Sequence, residues 1–161
     1  MSFLWKTFIG KIIVTFLISM VPIIELRGAL PIATEKLLDL DWWVALPVAI
    51  IGNIVPVPFI IIFIKKIFAW MSKQKGFLAK VVTKMEEKAF SKKDTIEKYG
   101  PWGLWLFVAI PLPGTGAWTG ALIAAMMGIS LKKSFPAIAT GVITAGVVVA
   151  FVSYGAAALL F

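Results

Sequence analysis

Cysteine and histidine are both absent from these 161 residues. Their absence excludes thiol nucleophiles, disulfides, thiolate or imidazole metal sites and histidine-based proton transfer. No glycine-rich loop ending in Gly-Lys-Ser/Thr occurs, so this chain holds no phosphate cradle for ATP-driven work. Charge is scarce too: 15% of residues are charged, against about 25% in ordinary soluble domains. No nucleophile–base set stands out, so neither an enzyme nor a cofactor or metal is expected.

Apolar residues fill the gap. They make up 60% of the chain, and the mean hydropathy is +0.96. A soluble core of this size cannot hide that much apolar surface, so lipid must solvate part of it. The charges are segregated as well. Between Lys11 and Glu35 only Glu25 and Arg27 are charged, and 99–131 and 134–161 carry no charge but Lys-free apolar sequence. Such runs exceed the ~20 residues a membrane helix needs. The expectation is an all-α integral membrane protein, one multi-pass domain over 1–161 in the cell membrane. The apolar run Ile12–Ile24 meets Glu25 and Arg27 rather than a small-residue cleavage site, so no removed signal peptide is expected.

The net charge of +8 would suit nucleic acid, but ten of the sixteen basic residues lie between Lys65 and Lys98. Basic loops beside membrane spans are what the positive-inside rule demands, so loop 65–100 is read as cytoplasmic and nucleic acid is not an expected partner. Within it Phe77, Leu78, Val81, Val82, Met85 and Ala89 recur at helical spacing, with Lys80, Lys84 and Lys88 elsewhere on the wheel. An amphipathic helix follows, lying either on anionic lipid or on the protein itself.

Proline and glycine punctuate the apolar segments. Segment 3–40 is interrupted by Pro22, Glu25, Arg27, Gly28 and Pro31. Segment 42–70 is bounded by tryptophans that stand about 42 Å apart as helix, which matches a bilayer with its headgroups. Gly52, Asn53, Pro56 and Pro58 in its middle predict a kink or break. Segment 101–129 is split by Pro111-Leu112-Pro113-Gly114-Thr115-Gly116 into halves of roughly 15–20 Å. Two half-helices around such a turn describe a re-entrant hairpin, which needs protein or a cavity around it. Segment 135–161 is a clean span, with Ala137, Gly141 and Ala145 as a stripe suited to close packing, a candidate homodimer face.

A weak repeat links these parts. Arg27-Gly28-Ala29-Leu30-Pro31-Ile32-Ala33 resembles Thr119-Gly120-Ala121-Leu122-Ile123-Ala124-Ala125, 92 positions on, and the same offset carries 42–64 onto 134–156. Each repeat (3–64 and 101–161) would be a broken hairpin followed by one span, so the second is inverted relative to the first. Orientation leaves two readings. If 3–40 is a hairpin, Lys6 and Lys11 lie outside; if it is a broken full span, they lie inside and Glu35–Asp41 outside.

Glu25 and Arg27 are the sharpest chemical signal, because charges at membrane depth cost at least ~2.5–3.5 kcal/mol and are usually functional. Arg27, the single arginine beside fifteen lysines, can grip a carboxylate or phosphate with two parallel hydrogen bonds. Glu25 is the natural proton carrier of a coupled cycle, and the two pair only if the backbone between them is unwound. Asn53 is placed to meet a substrate or a carbonyl freed by Pro56. Thr115 and Thr119 offer hydroxyls. The half-helix starting near Gly116 would aim free N–H groups at an anion, and Trp118 would pack or stack there.

Three motifs carry a resemblance: Glu25 to Ala33, Gly52-Asn53-Ile54-Val55-Pro56-Val57-Pro58, and Pro111 to Ala121. With them the chain resembles the small multidrug export protein family, a distant relative of the DedA/VTT superfamily. The resemblance implies two opposed re-entrant hairpins, and in some members of that superfamily translocation of phospholipids or of a polyprenyl-phosphate carrier. It also implies an acidic residue in the first hairpin, which Glu25 matches, and an arginine in the second. Here the second hairpin is uncharged, and Arg27 stands in the first.

The leading expectation is therefore proton- or ion-coupled translocation of an amphipathic or anionic substrate such as a lipid phosphate. Efflux of cationic hydrophobic drugs is the second reading, with Glu25 as counter-charge and Trp118 stacking. A non-transporting scaffold is the third, in which Glu25 and Arg27 merely pair. Membrane lipids and a second copy of the chain are the expected partners.

Overall fold

Prolines and glycines decide where the helices stop. In a computed structural model describing residues 7–34, 38–73, 76–91, 93–112 and 114–155, α1 (Phe8–Met20) ends at Val21, which is extended as a residue before proline prefers. Helix α2 (Glu25–Thr34) starts beyond the Pro22 turn. Helices α3 (Trp42–Ile54) and α4 (Pro56–Lys73) are separated by Val55 alone, whose dihedrals stay helical. Pro56 takes the first position of α4, where its missing N–H is least felt. The expected break at Pro56 and Pro58 is thus a one-residue interruption in a 32-residue apolar run.

Helices α5 (Phe77–Phe90) and α6 (Lys93–Tyr99) form the basic loop. Beyond them come α7 (Pro101–Ala109), α8 (Ala117–Met126) and α9 (Leu131–Ala150), the last running into a π-helical turn at Phe151–Gly155. No strand occurs among the described residues. The runs Trp42–Lys73 and Leu131–Ser153 are long and apolar enough to cross a bilayer. Helices α1, α2, α7 and α8 have 13, 10, 9 and 10 residues. None exceeds about 20 Å, well short of the ~30 Å hydrocarbon core.

Gly28 and Pro31 are not breaks. Both lie inside α2, where the Gly28 N–H still reaches the Ile24 carbonyl at 3.0 Å. Gly28 is instead a packing position, since a Cβ there would lie 2.6 Å from Ile24 Cγ2.

Short helices are held by close approach to the long ones. Helix α1 crosses α3 at Gly52, where a Cβ would lie 2.6 Å from the Phe16 carbonyl oxygen, and Ser19 donates to the Ala49 carbonyl. Helix α7 crosses α9 at Gly141, where a Cβ would lie 2.8 Å from Val108 Cβ and 3.0 Å from the Trp105 carbonyl oxygen. Ala137, Gly141 and Ala145 are buried within the chain. The small-residue stripe therefore serves internal packing rather than a face offered to a second copy. Around it Leu104, Val108, Ala121, Ile138 and Val142 form the core.

The ends of the short helices pair up in space. Lys11 Nζ donates to the Asp39 carbonyl at 3.2 Å and the Leu40 N–H to the Ala33 carbonyl at 2.9 Å. The start of α1 and the end of α2 therefore both lie by the start of α3. Gly100 and Pro101 at the start of α7, and Met127 to Ser130 after α8, line one cavity of about 610 Å³. Gly128 there sits close to Lys65 of α4. Helix α5 packs on α4 and α8 by burying Val82 against Phe68 and Leu122, with Lys80 and Lys84 turned outward. The side chains of Leu78, Val81, Met85, Lys88 and Ala89, together with Lys6, Glu35 and Pro113, lie outside what is described.

Candidate functional site

The turn 21–24 delivers Glu25 in a left-handed conformation, φ +49°. For a residue with a Cβ that costs of order 1–3 kcal/mol and tends to mark functional positions. It also solves a geometric problem. Residues two apart on a regular helix point away from each other, yet Arg27 Nη2 lies 3.3 Å from Glu25 Oε2. The unwinding that the pair requires is present, and it sits at Glu25.

Each charge then reaches across to the second break. Glu25 Oε1 accepts the Trp118 backbone N–H at 3.1 Å, in the first turn of α8. A carboxylate there satisfies an orphan donor and faces the positive end of the helix dipole. Arg27 donates through Nη1 to the Leu112 carbonyl and through Nη2 to the Thr115 carbonyl. Both carbonyls lie in the non-helical stretch between α7 and α8, and that of Leu112 also accepts the Thr115 N–H at 3.1 Å. A further link runs the other way, from Trp118 Nε1–H to the Met20 carbonyl at 2.9 Å, the last residue of α1. Each broken segment supplies what the other lacks.

Two spaces flank this junction. On one side is an open cleft of about 420 Å³ lined by Pro22, Ile23, Glu25, Arg27, Pro111, Gly114, Thr115 and Thr119. The Arg27 side chain is 23% exposed and that of Glu25 6%, so the guanidinium is what the cleft presents first. Beside it is a much smaller space of about 10 Å³, lined by Glu25, Arg27, Asn53, Pro111 and Gly116 and by apolar Leu26, Val108 and Val142. Asn53 is 3% exposed, and its Oδ1 has no hydrogen-bond partner.

Glu25, Arg27, Thr115 and Thr119 thus meet at the cleft, with Asn53 behind the pair. Several details differ from the sequence reading. The N-terminus of α8 is not open to an outside anion, because Glu25 occupies it. The Thr115 hydroxyl is turned inward, 2.8 Å from the Ile110 carbonyl and 2.7 Å from that of Leu112, so it braces the break. Trp118 serves through its N–H groups, and the Asn53 carbonyl oxygen Oδ1 is left without a donor.

The break itself rests on Gly114 (φ +82°) and Gly116 (φ +135°), conformations natural only to glycine. Gly116 has a second reason. A Cβ there would come within 2.8 Å of Glu25 Cδ and 2.6 Å of Arg27 Nη2. Its lack of a side chain lets the ion pair lie against the turn, a role the Pro/Gly pattern alone did not disclose. The Met20 and Leu112 carbonyls were also missed, because a backbone acceptor has no residue identity. Only the Val21-Pro22 step hinted that the Met20 carbonyl would be left free.

Residues 25–148 match the family model described as "Putative small multi-drug export protein". The match covers most of the chain, from Glu25 through the second break and into α9. The chain belongs to that family of membrane exporters, a class named for transport rather than for a catalysed reaction. No curated protein and no solved structure matches it.

Proposed function

We propose that this protein is a transporter for an amphipathic or anionic substrate, with a phosphate-bearing lipid as the substrate class that Arg27 fits best. On this reading α1–α2 and α7–α8 are two re-entrant hairpins, each followed by a span, and the second repeat is inverted relative to the first. The ends of the first hairpin lie by Asp39 and Trp42, those of the second by Lys65. These positions are about 35 Å apart along the α3–α4 run, so the hairpins enter from opposite sides. Broken helices meeting near the midplane are where inverted-repeat transporters bind substrate and coupling ion. Basic loop 65–100 then faces the cytoplasm, and a homodimer completes the cavity that so few crossing segments enclose.

The observation that carries the reading is the Glu25–Arg27 link between the two breaks, set in the wall of a cleft open to ligands. A phosphate entering the cleft meets the guanidinium and competes with the turn carbonyls for its donors. Glu25, losing its partner, takes up a proton and releases the α8 N-terminus. Substrate binding and proton uptake are thereby coupled through one side chain. Drug export, as the family description words it, is the second reading, but a cation entering this cleft meets Arg27 before Glu25. The scaffold reading is favoured by one fact, that both charges are already fully paired within the chain.

Purified protein in liposomes separates the three. A fluorescent phosphatidic acid probe, scored by dithionite quenching, should change leaflets faster with protein than without, and Arg27→Lys should remove most of that gain. Movement of ethidium but not of the phosphatidic acid probe would establish the second reading. Movement of neither would leave the scaffold.

A further inference from the structure

We infer that Asn53 holds a single water molecule against the inner face of Glu25, forming a buried water–carboxyl unit that carries the coupling proton. The inference rests on the reading of Glu25 as the coupling carboxyl. Its support is separate from the cleft. Asn53 Oδ1 is buried without a partner, which costs about 1–3 kcal/mol unless something donates to it. The void beside it, about 10 Å³ for the centre of a water molecule, is close to the space one water needs. A water there has the two to four polar partners that ordered buried waters require. It donates one O–H to Asn53 Oδ1 and the other to the Glu25 carboxylate, with Arg27 as a neighbouring donor.

The same geometry disfavours a metal cation as the coupling ion. Hard cations take six or more oxygen ligands. The void offers the side-chain oxygens of Asn53 and Glu25 and places a guanidinium beside them; its remaining walls include Leu26, Val108, Val142 and Ala145. No group of three or more acidic, histidine or cysteine side chains occurs among the described residues. Around Glu25, α2 contributes the charge of Arg27. Helices α3, α8 and α9 contribute Asn53, the Trp118 N–H and apolar side chains respectively. A proton, passed between this water and the carboxyl, needs no more than that.

The test is infrared difference spectroscopy of reconstituted protein in ordinary and oxygen-18 water, paired with proton-driven flux of the phosphatidic acid probe. Wild type should show an isotope-sensitive band from an isolated water. Asn53→Leu removes the acceptor, and Ala145→Val fills the void while leaving Asn53 in place; both should lose the band, while surface Thr140→Val keeps it. Flux driven by a pH gradient should fall about tenfold in either cavity variant, the factor for one hydrogen bond to a charged group. A band that survives both cavity variants overturns the water site. A lost band with wild-type proton-driven flux overturns the relay. Should wild type itself ignore the pH gradient while the band behaves as stated, the coupling reading falls and the water site stands.

Discussion

Alanine at position 116 would place a methyl group inside the junction. The backbone there has φ +135° and ψ −173°, a region essentially confined to glycine, where an L-residue with a side chain pays of order 1–3 kcal/mol. The methyl also overlaps Glu25 Cδ and Arg27 Nη2, which lie 2.8 and 2.6 Å from the Cβ position. The pair can only give way by leaving the Trp118 N–H and the Leu112 and Thr115 carbonyls. Removing a partner from a buried charge pair costs about 3–5 kcal/mol; here both charges survive and can turn to the cleft, so about 2–3 kcal/mol is reasonable. Gly76→Ala is the matched control, with φ +108° and no atom within 4 Å of the new Cβ, and it isolates the backbone cost. The excess for Gly116→Ala corresponds to about 4–12 °C in Tm at 2–4 °C per kcal/mol. Thermal unfolding of both variants in detergent, followed by circular dichroism, measures it. Equal losses in the two variants would mean that the ion pair does not press against the turn.

Trp118→Phe removes the indole donor to the Met20 carbonyl and should destabilise by about 1–3 kcal/mol, read from the same melts. Gly141→Leu drives a side chain into Val108 and the Trp105 carbonyl, so it should cost at least the ~1–3 kcal/mol of an overpacked core and yield aggregated protein in size-exclusion chromatography. Because the chain has no cysteine, single cysteines report sidedness directly. Those at Ser91 and Ser130 should label from the cytoplasm and one at Asp39 from the other face. Labelling of Asp39 and Ser130 from the same side would remove the inverted arrangement.

Much of the architecture was legible where one residue type acts alone. The apolar segments 42–70 and 135–161 located the two long helices, Pro22 and the Pro/Gly cluster that begins at Pro111 located where short helices stop, and the Glu25–Arg27 spacing required the unwinding that Glu25 shows. Proline and glycine misled where context decides. Pro31 and Pro58 lie inside helices and Gly28 serves contact with Ile24, whereas Pro56 does follow a one-residue interruption at Val55. The stripe at Ala137, Gly141 and Ala145 marked a close crossing correctly in kind, but a small-residue stripe does not say which helix it meets, and here it is α7. The site was half legible. Its charged residues stood out because lipid makes charge conspicuous. Their partners across the breaks are backbone groups 85 to 93 positions distant, and no local pattern encodes such pairing.

The proposed coupling of a proton to substrate movement rests on Glu25, at the meeting point of the two breaks. Flux of the phosphatidic acid probe into and out of proteoliposomes, against an imposed pH gradient, is its test. Wild type should follow the gradient. Glu25→Gln, a fixed mimic of the protonated state, should still bind the probe yet move it at a rate independent of the gradient. A Glu25→Gln protein whose flux responds to the gradient as wild type does would reduce Glu25 to a structural partner of Arg27 and contradict the account.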